Sequence, residues 1–257
     1  MPTWNAAQYL HFAEERTRPC RDLAAAVTLD APRRVVDLGC GPGNSTAVLA
    51  ARWPGAEITG LDSSEAMIAA ARRDAPQRAW EVGDIAAWRA EAPFDLVFSN
   101  AALQWVPDHE GLYPRLFGQV ASGGALAVQV PNNIDAAAHR GIREVAGRRE
   151  WLARFPPGAI REWHAHTPPF YYDLLAPLAA RLDIWETEYL HVLPGAAAIV
   201  EWYKGSGLRP FLDALPIEAE RERFLGDILQ AFTAAFPAQR DGRVLLPFRR
   251  LFVIAYK

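Results

Sequence analysis

Three glycines stand at alternate positions in the run Asp37-Leu38-Gly39-Cys40-Gly41-Pro42-Gly43-Asn44-Ser45. Without Cβ atoms, a backbone there turns tightly and comes close to a bound molecule. The third glycine falls one position early for G-x-G-x-x-G, and no Gly-Lys-Ser/Thr follows. Neither a dinucleotide fingerprint nor a phosphate cradle is therefore written here. Asp62 comes roughly 20 residues after the turn, where open α/β folds hold a carboxylate that grips ribose hydroxyls. Gly83-Asp84-Ile85 adds a second carboxylate, suited to an exocyclic amine, and an apolar side chain to pack on a flat ring. The run Ser99-Asn100-Ala101-Ala102-Leu103-Gln104-Trp105 adds an amide and a large aromatic. A ribose, an adenine and a tail without phosphate account for the set. Asp37 is left with two uses, a bond to backbone or one to the ligand's amine.

These residues need elements that deliver them to one rim. Short β-rich runs alternate with helical ones, punctuated by Gly, Pro, Asn or Asp. Strands are expected at Arg34–Leu38, Glu57–Leu61, Ala79–Val82, Phe94–Ser99 and Ala125–Val130. Helices are expected over Ser45–Trp53 and Ser64 to about Asp74. Strands this apolar are covered on both faces, which implies a parallel sheet between helices. Each chemistry-bearing residue then lies at a strand's carboxyl end, where such sheets bind ligands. Pro19 suits the first turn of a helix running to about Val27. Beyond the fifth strand, Asp135–Arg154 and Glu218–Phe236 read as helices, and Asp183–Val192 and Arg250–Tyr256 as strands.

The 257 residues, 51% hydrophobic and 22% charged, are enough for a sizeable core. A net charge of −3 leaves no electrostatic footprint for nucleic acid and no polybasic membrane patch. No apolar stretch reaches the roughly 18 residues of a membrane span. The opening MPTWNAAQYL lacks the pattern of a secretory signal, so a soluble cytoplasmic protein is expected. Cys20 and Cys40 alone make neither a disulfide framework nor a zinc site, and His164 and His166 lack completing ligands, so no metal is expected.

The runs VVDLGCGPGNST (Val35 to Thr46), GLDSS (Gly60 to Ser64), Gly83-Asp84 and FDLVFSNAALQW (Phe94 to Trp105) resemble class I S-adenosylmethionine-dependent methyltransferases. Further stretches narrow the likeness to the trans-aconitate methyltransferase family. They are Trp4 to Pro19, Leu103 to Pro114, Arg143 to Ala146, Phe170 to Leu175, Gly207 to Leu212 and the C-terminal FRRLFVIA. The resemblance implies a doubly wound, Rossmann-like α/β fold, with a seven-stranded, mostly parallel sheet and one antiparallel strand beside the fifth. It implies a single domain over 1–257, with an N-terminal helical lid over 1–29, a cofactor-binding core over 30–131, and substrate-covering helices and C-terminal strands over 132–257. The implied cofactor is S-adenosyl-L-methionine, held by Asp37, Gly39, Gly41, Asp62, Ser63, Met67, Asp84, Ile85, Asn100 and Ala101.

The implied acceptor is a small polycarboxylic acid, and the implied assembly a monomer or weak dimer without nucleic acid or membrane. A carboxylate is already ionised at neutral pH. It needs no general base, so none is nominated and catalysis rests on orientation. Arginine forks suit carboxylates that do not react, while weaker donors suit the attacking one. Arg16, Arg18, Arg209, Arg249 and Arg250 are the candidate clamps, with Gln104, Trp105, Tyr171 and Tyr172 as orienting or covering groups. Another acid or a hydroxyl acceptor, or a cofactor-binding module without catalysis, are the competing readings.

Overall fold

The computed structural model describes residues 13–155 and 162–257, less the side chains of 13, 14 and 16. Pro156, Pro157 and the N-terminal part of the Trp4–Pro19 match lie outside the described residues. The chain divides into two compact units. One comprises Ala13–Asn132, His164–Thr187 and Arg250–Lys257; the other includes Asn133–Trp163 and Glu188–Arg249.

Among the described residues, seven strands form one sheet. β1 (Arg34–Leu38), β2 (Glu57–Asp62), β3 (Ala79–Val82), β4 (Phe94–Asn100) and β5 (Val120–Pro131) pair in parallel. β6 is Arg181–Leu193, and β7 (Val244–Tyr256) runs antiparallel to β5. The strand order is β3-β2-β1-β4-β5-β7-β6. The order reverses between β1 and β4, the switch point at which such sheets open a crevice. The doubly wound reading with an antiparallel strand beside the fifth is the fold observed.

Burial explains these strands. Val36, Leu38, Val97, Leu126, Val128, Leu251 and Val253 join Leu112, Tyr113, Leu116 and Phe117 in one apolar cluster. The latter four belong to α4 (His109–Gly118), whose first turn the Asp108 carboxylate caps by accepting from the Gly111 N–H. α2 (Asn44–Arg52) and α3 (Glu65–Asp74) follow β1 and β2. In the other unit, α5 (Ala137–Ala146), α8 (Ala196–Lys204) and α10 (Glu218–Ala235) surround Trp151, Trp202, Tyr203, Phe224 and Phe232. The Trp151 indole N–H donates to Asp227 at 2.7 Å, so this large side chain is buried with its one donor used. No described helix is long and apolar enough to cross a membrane.

Four boundaries depart from the expectations by more than two residues. α1 spans Ala13–Ala26, so Pro19 lies inside the helix rather than in its first turn. Cys20, Leu23, Ala24 and Val27 are all buried, and that stripe outweighs the bond a proline removes, worth roughly 3 kcal/mol. β5 begins at Val120, not Ala125, because Val120 already pairs with Phe94, and after a register shift the ladder with β4 resumes at Ala125. β7 begins at Val244, since buried Val244, Leu246 and Phe248 alternate through the exposed Pro247. The long helix expected from Asp135 breaks at Gly147, leaving α5 and the short α6 (Arg149–Leu152). The described residues include two more short helices, α7 (Pro168–Leu175) and α9 (Arg209–Ala214).

Trp80 locks the strands that carry the rim. Its indole N–H donates to the Ala75 carbonyl at 2.9 Å, and the ring lies against Gly60 of β2. A Cβ on Gly60 would stand 2.4 Å from ring atom Cζ3 and 3.0 Å from Cys40 Sγ. The tethered ring has no free direction in which to yield. Gly60→Ala is therefore expected to cost about 1–3 kcal/mol, read as a lower midpoint in urea denaturation.

Candidate active site

The glycine turn is built by backbone bonds. The N–H groups of Gly39 and Cys40 both donate to the Leu61 carbonyl, at 2.7 and 3.0 Å. Gly39 has φ +76° and tolerates no side chain, because its Cβ would fall 2.2 Å from that of Ala102. The loops after β1 and β4 therefore touch at that point. The Asp62 carboxylate accepts from the Gly41 N–H through Oδ2 and from the Ser64 N–H through Oδ1, each at 2.9 Å. It thereby joins the turn after β1 to the start of α3. Burial raises the Asp62 pKa, and these two N–H groups oppose that shift. Ser64 caps α3 by accepting from the Met67 N–H. Ser63 is exposed beside it, and Met67 is buried.

Asp84 and Ile85 follow β3. Asp84 is exposed and its Oδ1 accepts from the Ala86 N–H at 2.9 Å, while Ile85 is buried close to Gly39. Beyond β4, Ala101 takes φ +54°, a conformation an alanine holds only when its surroundings impose it. Its N–H donates to the Gln129 carbonyl at 2.9 Å, and its own carbonyl accepts from Gln104 Nε2 at 2.7 Å. Asn100 Oδ1 and Gln104 Oε1 are buried with no hydrogen-bond partner among the described residues.

Asp37 is wholly buried. Its Oδ2 accepts from the hydroxyls of Ser45 and Thr46, each at 2.6 Å, while Oδ1 has no partner among the described residues. Burial outweighs the two hydroxyls and pushes its pKa from 3.8 up to about 6. The folded, ligand-free protein then binds the proton more tightly than the unfolded chain does. This group therefore lowers stability as pH rises through that interval. Relative to Asp37→Asn, the ligand-free protein is expected to lose on the order of 3 kcal/mol between about pH 4 and 6. Urea denaturation across that range reads the slope, which is independent of any fixed cost of the substitution.

All the expected cofactor residues thus lie along the ends of β1 to β4. The expected acid-binding residues are more scattered. Gln104 and the half-buried Trp105 sit on the 3-10 turn Leu103–Trp105 next to that rim. The Gln104 carbonyl accepts from the His164 N–H at 3.0 Å. Tyr171 is buried, its hydroxyl 2.8 Å from His109 Nδ1 and accepting from the His166 N–H at 3.0 Å. His109 Nε2 meets the Leu103 carbonyl at 2.9 Å, so Nε2 carries the proton and Nδ1 accepts from Tyr171. Tyr171 thus braces the turn that carries Gln104, while Tyr172 is exposed. Arg18 is exposed on α1, and the Arg16 side chain lies outside the described residues. Arg209, ion-paired with Asp213 at 3.0 Å, and the exposed Arg249 belong to the other unit. A histidine at the start of α4 and a glutamine in an apolar strand carry no motif, so the sequence assigns neither His109 nor Gln129 a place in the site.

Residues 35–124 match the methyltransferase domain family. A trans-aconitate 2-methyltransferase from Methylobacterium radiotolerans is 51% identical over 259 residues, covering 100% of this chain and 99% of that protein. The chain belongs to the trans-aconitate 2-methyltransferase family. Among solved structures, the YcgJ protein from Bacillus subtilis superposes with a TM-score of 0.62 at 12% identity, over 93% of this chain and 98% of that one. The plantazolicin methyltransferase BpumL, solved with S-adenosylhomocysteine, gives 0.52 at 17% identity, over 98% and 90%. These two likenesses concern the fold. A family enzyme draws its methyl group from S-adenosylmethionine, and the rim described above suits that donor. Asp37 Oδ1 and Asn100 Oδ1 are buried acceptors without a partner among the described residues, and a cationic ligand would satisfy them.

Proposed function

We propose that this chain methylates a carboxylate of trans-aconitate with S-adenosylmethionine, giving a monomethyl ester and S-adenosylhomocysteine. The observation that carries the reading is 51% identity along the whole chain to an enzyme of that name, well beyond the donor-binding motifs. The donor, when bound, supplies a methyl carbon on a sulfonium that departs as a neutral thioether. Asp62 holds its ribose hydroxyls, Asp84 and Ile85 flank the adenine, and Ser63 and Met67 line the same end. Gly39 and Gly41 pass beneath the amino-acid portion, with Asn100, Ala101 and Asp37 around its ammonium.

Residues 30–131 serve as the cofactor core, with α1 of the 1–29 segment as a lid and 132–257 covering the acid. Arg16 and Arg18 on the lid, with Arg209 and Arg249, grip the carboxylates that do not react. Gln104, Trp105, Tyr171 and Tyr172 shape and close the acid's side. The acid arrives ionised, so no protein group has a proton to remove and the work is alignment in a dry site. Two buried free cysteines, Cys20 and Cys40, suit a reducing cytoplasm. The enzyme acts there as a monomer or weak dimer.

A labelled-methyl assay over di- and tricarboxylates, with products identified by mass spectrometry, tests the reading. Trans-aconitate is expected to be the best acceptor, and no acid turned over at millimolar donor would refute it. At saturating donor and acid, kcat is expected to stay flat from about pH 7 to 9, because no base titrates in the complex. Asp62→Asn is expected to weaken S-adenosylhomocysteine binding roughly tenfold or more by calorimetry, the worth of a charge-assisted bond.

A further inference from the structure

Gln129 lies in β5 beside Asn100 of β4 and opposite Phe252 of β7. Its side chain is 0% exposed, and neither Nε2 nor Oε1 has a hydrogen-bond partner among the described residues. Leu126, Val128 and Val130 turn to the apolar cluster that α4 covers. Strand alternation sends Gln129 to the opposite face, the one over which α1 packs against β5. A methionine or leucine of similar bulk would fill that position without leaving a buried amide unsatisfied. The amide is matched to something that arrives.

The order of the strands says what that is. From one side to the other, the rim presents Asp84 after β3, Asp62 after β2, the glycine turn after β1 and Asn100 at the end of β4. Those positions take up the donor. The next strand is β5, where Gln129 stands, and β7 beyond it brings the buried Arg250 to the same face, opposite Pro131. On the acceptor's side, Gln129 is thus the polar group adjoining the strand that holds the donor's amino-acid portion.

We propose that Gln129 Nε2 donates to the reacting carboxylate of the acceptor acid and orients it toward the donor's methyl carbon. This rests on the proposed transfer to trans-aconitate. A lone pair of the carboxylate oxygen forms the new O–C bond as the C–S bond breaks, its electrons pass to sulfur, and no proton moves. A neutral amide suits that oxygen, since it fixes direction while withdrawing less charge than a guanidinium. In a site closed by α1, such a fixed donor acts without competition from water.

The test uses the full chain with Gln129→Met. For trans-aconitate, kcat/KM is expected to fall roughly ten- to a hundredfold, while S-adenosylhomocysteine binding stays within about twofold. The Tm of the ligand-free variant is expected to stay level or rise, because an unsatisfied buried amide has been removed. Unchanged kcat/KM overturns the inference, and so does an equal loss of S-adenosylhomocysteine affinity, which moves the amide to the donor. Lost activity together with a lowered Tm also overturns it, by making the residue structural. Wild-type enzyme inert toward trans-aconitate removes the underlying reading as well, and that control separates the two failures.

Discussion

The candidate site depends on backbone coming closer to backbone than side chains ordinarily allow. Gly39 meets Ala102, which brings the turn after β1 against the loop after β4. Asp62 then takes an N–H from Gly41 and another from Ser64, tying that turn to the helix after β2. Three successive rim segments are thereby held by one contact and one carboxylate. The switch point between β1 and β4 supplies the crevice, and these tethers set its floor. A pre-set floor means that little ordering remains to be done when a ligand binds, which is where orientation-driven catalysis gains most.

Much of this frame was legible in the sequence, for a physical reason. Strands buried on both faces become continuous apolar runs, so β1 and β3 fall at the residues expected and β2 and β4 extend one residue further. Gly39, Gly41 and Gly43 all take positive φ, which glycine adopts most readily, and that is why the turn announces itself. The failures share another cause. Pro19 inside α1 and Pro247 inside β7 are local breakers overruled by burial that only the assembled core supplies. The Val120 start of β5 was hidden because Gly123 and Gly124 read as a turn, while the strand bridges them by a shift of register and pairs with β4 on both sides.

The acid-binding side was less legible. Arginine has many uses, and a sequence does not say which one applies. Arg209 is held by Asp213, and both it and Arg249 belong to the unit that does not carry the rim. Tyr171 and Tyr172 are neighbours with opposite fates, one buried on His109 and the other exposed, as adjacent positions on a helix dictate. Gln129 left no trace because one polar residue in VQV looks like an imperfection of the strand. Its meaning emerges only when pairing sets it beside Asn100 and burial leaves its amide without a partner among the described residues.

The unsatisfied atoms also sort by position. On the strands assigned to the donor, Asp37 Oδ1 and Asn100 Oδ1 can only accept. On the strands beyond, Gln129 can donate and Arg250 is a cation. Acceptors stand where a cationic sulfonium compound would lie and donors where a polyanion would, although Gln129 Oε1 and Gln104 Oε1 can also accept. Such a division would keep the proposed reactants in separate, complementary fields until they met between β4 and β5. Their reaction cancels charge, since an anion and a sulfonium become an ester and a thioether. A polar surface that solvated both reactants fully would favour the separated charges and raise the barrier. A rim that offers each reactant a few fixed partners, and keeps the remaining contacts dry, holds them in line without over-stabilising either.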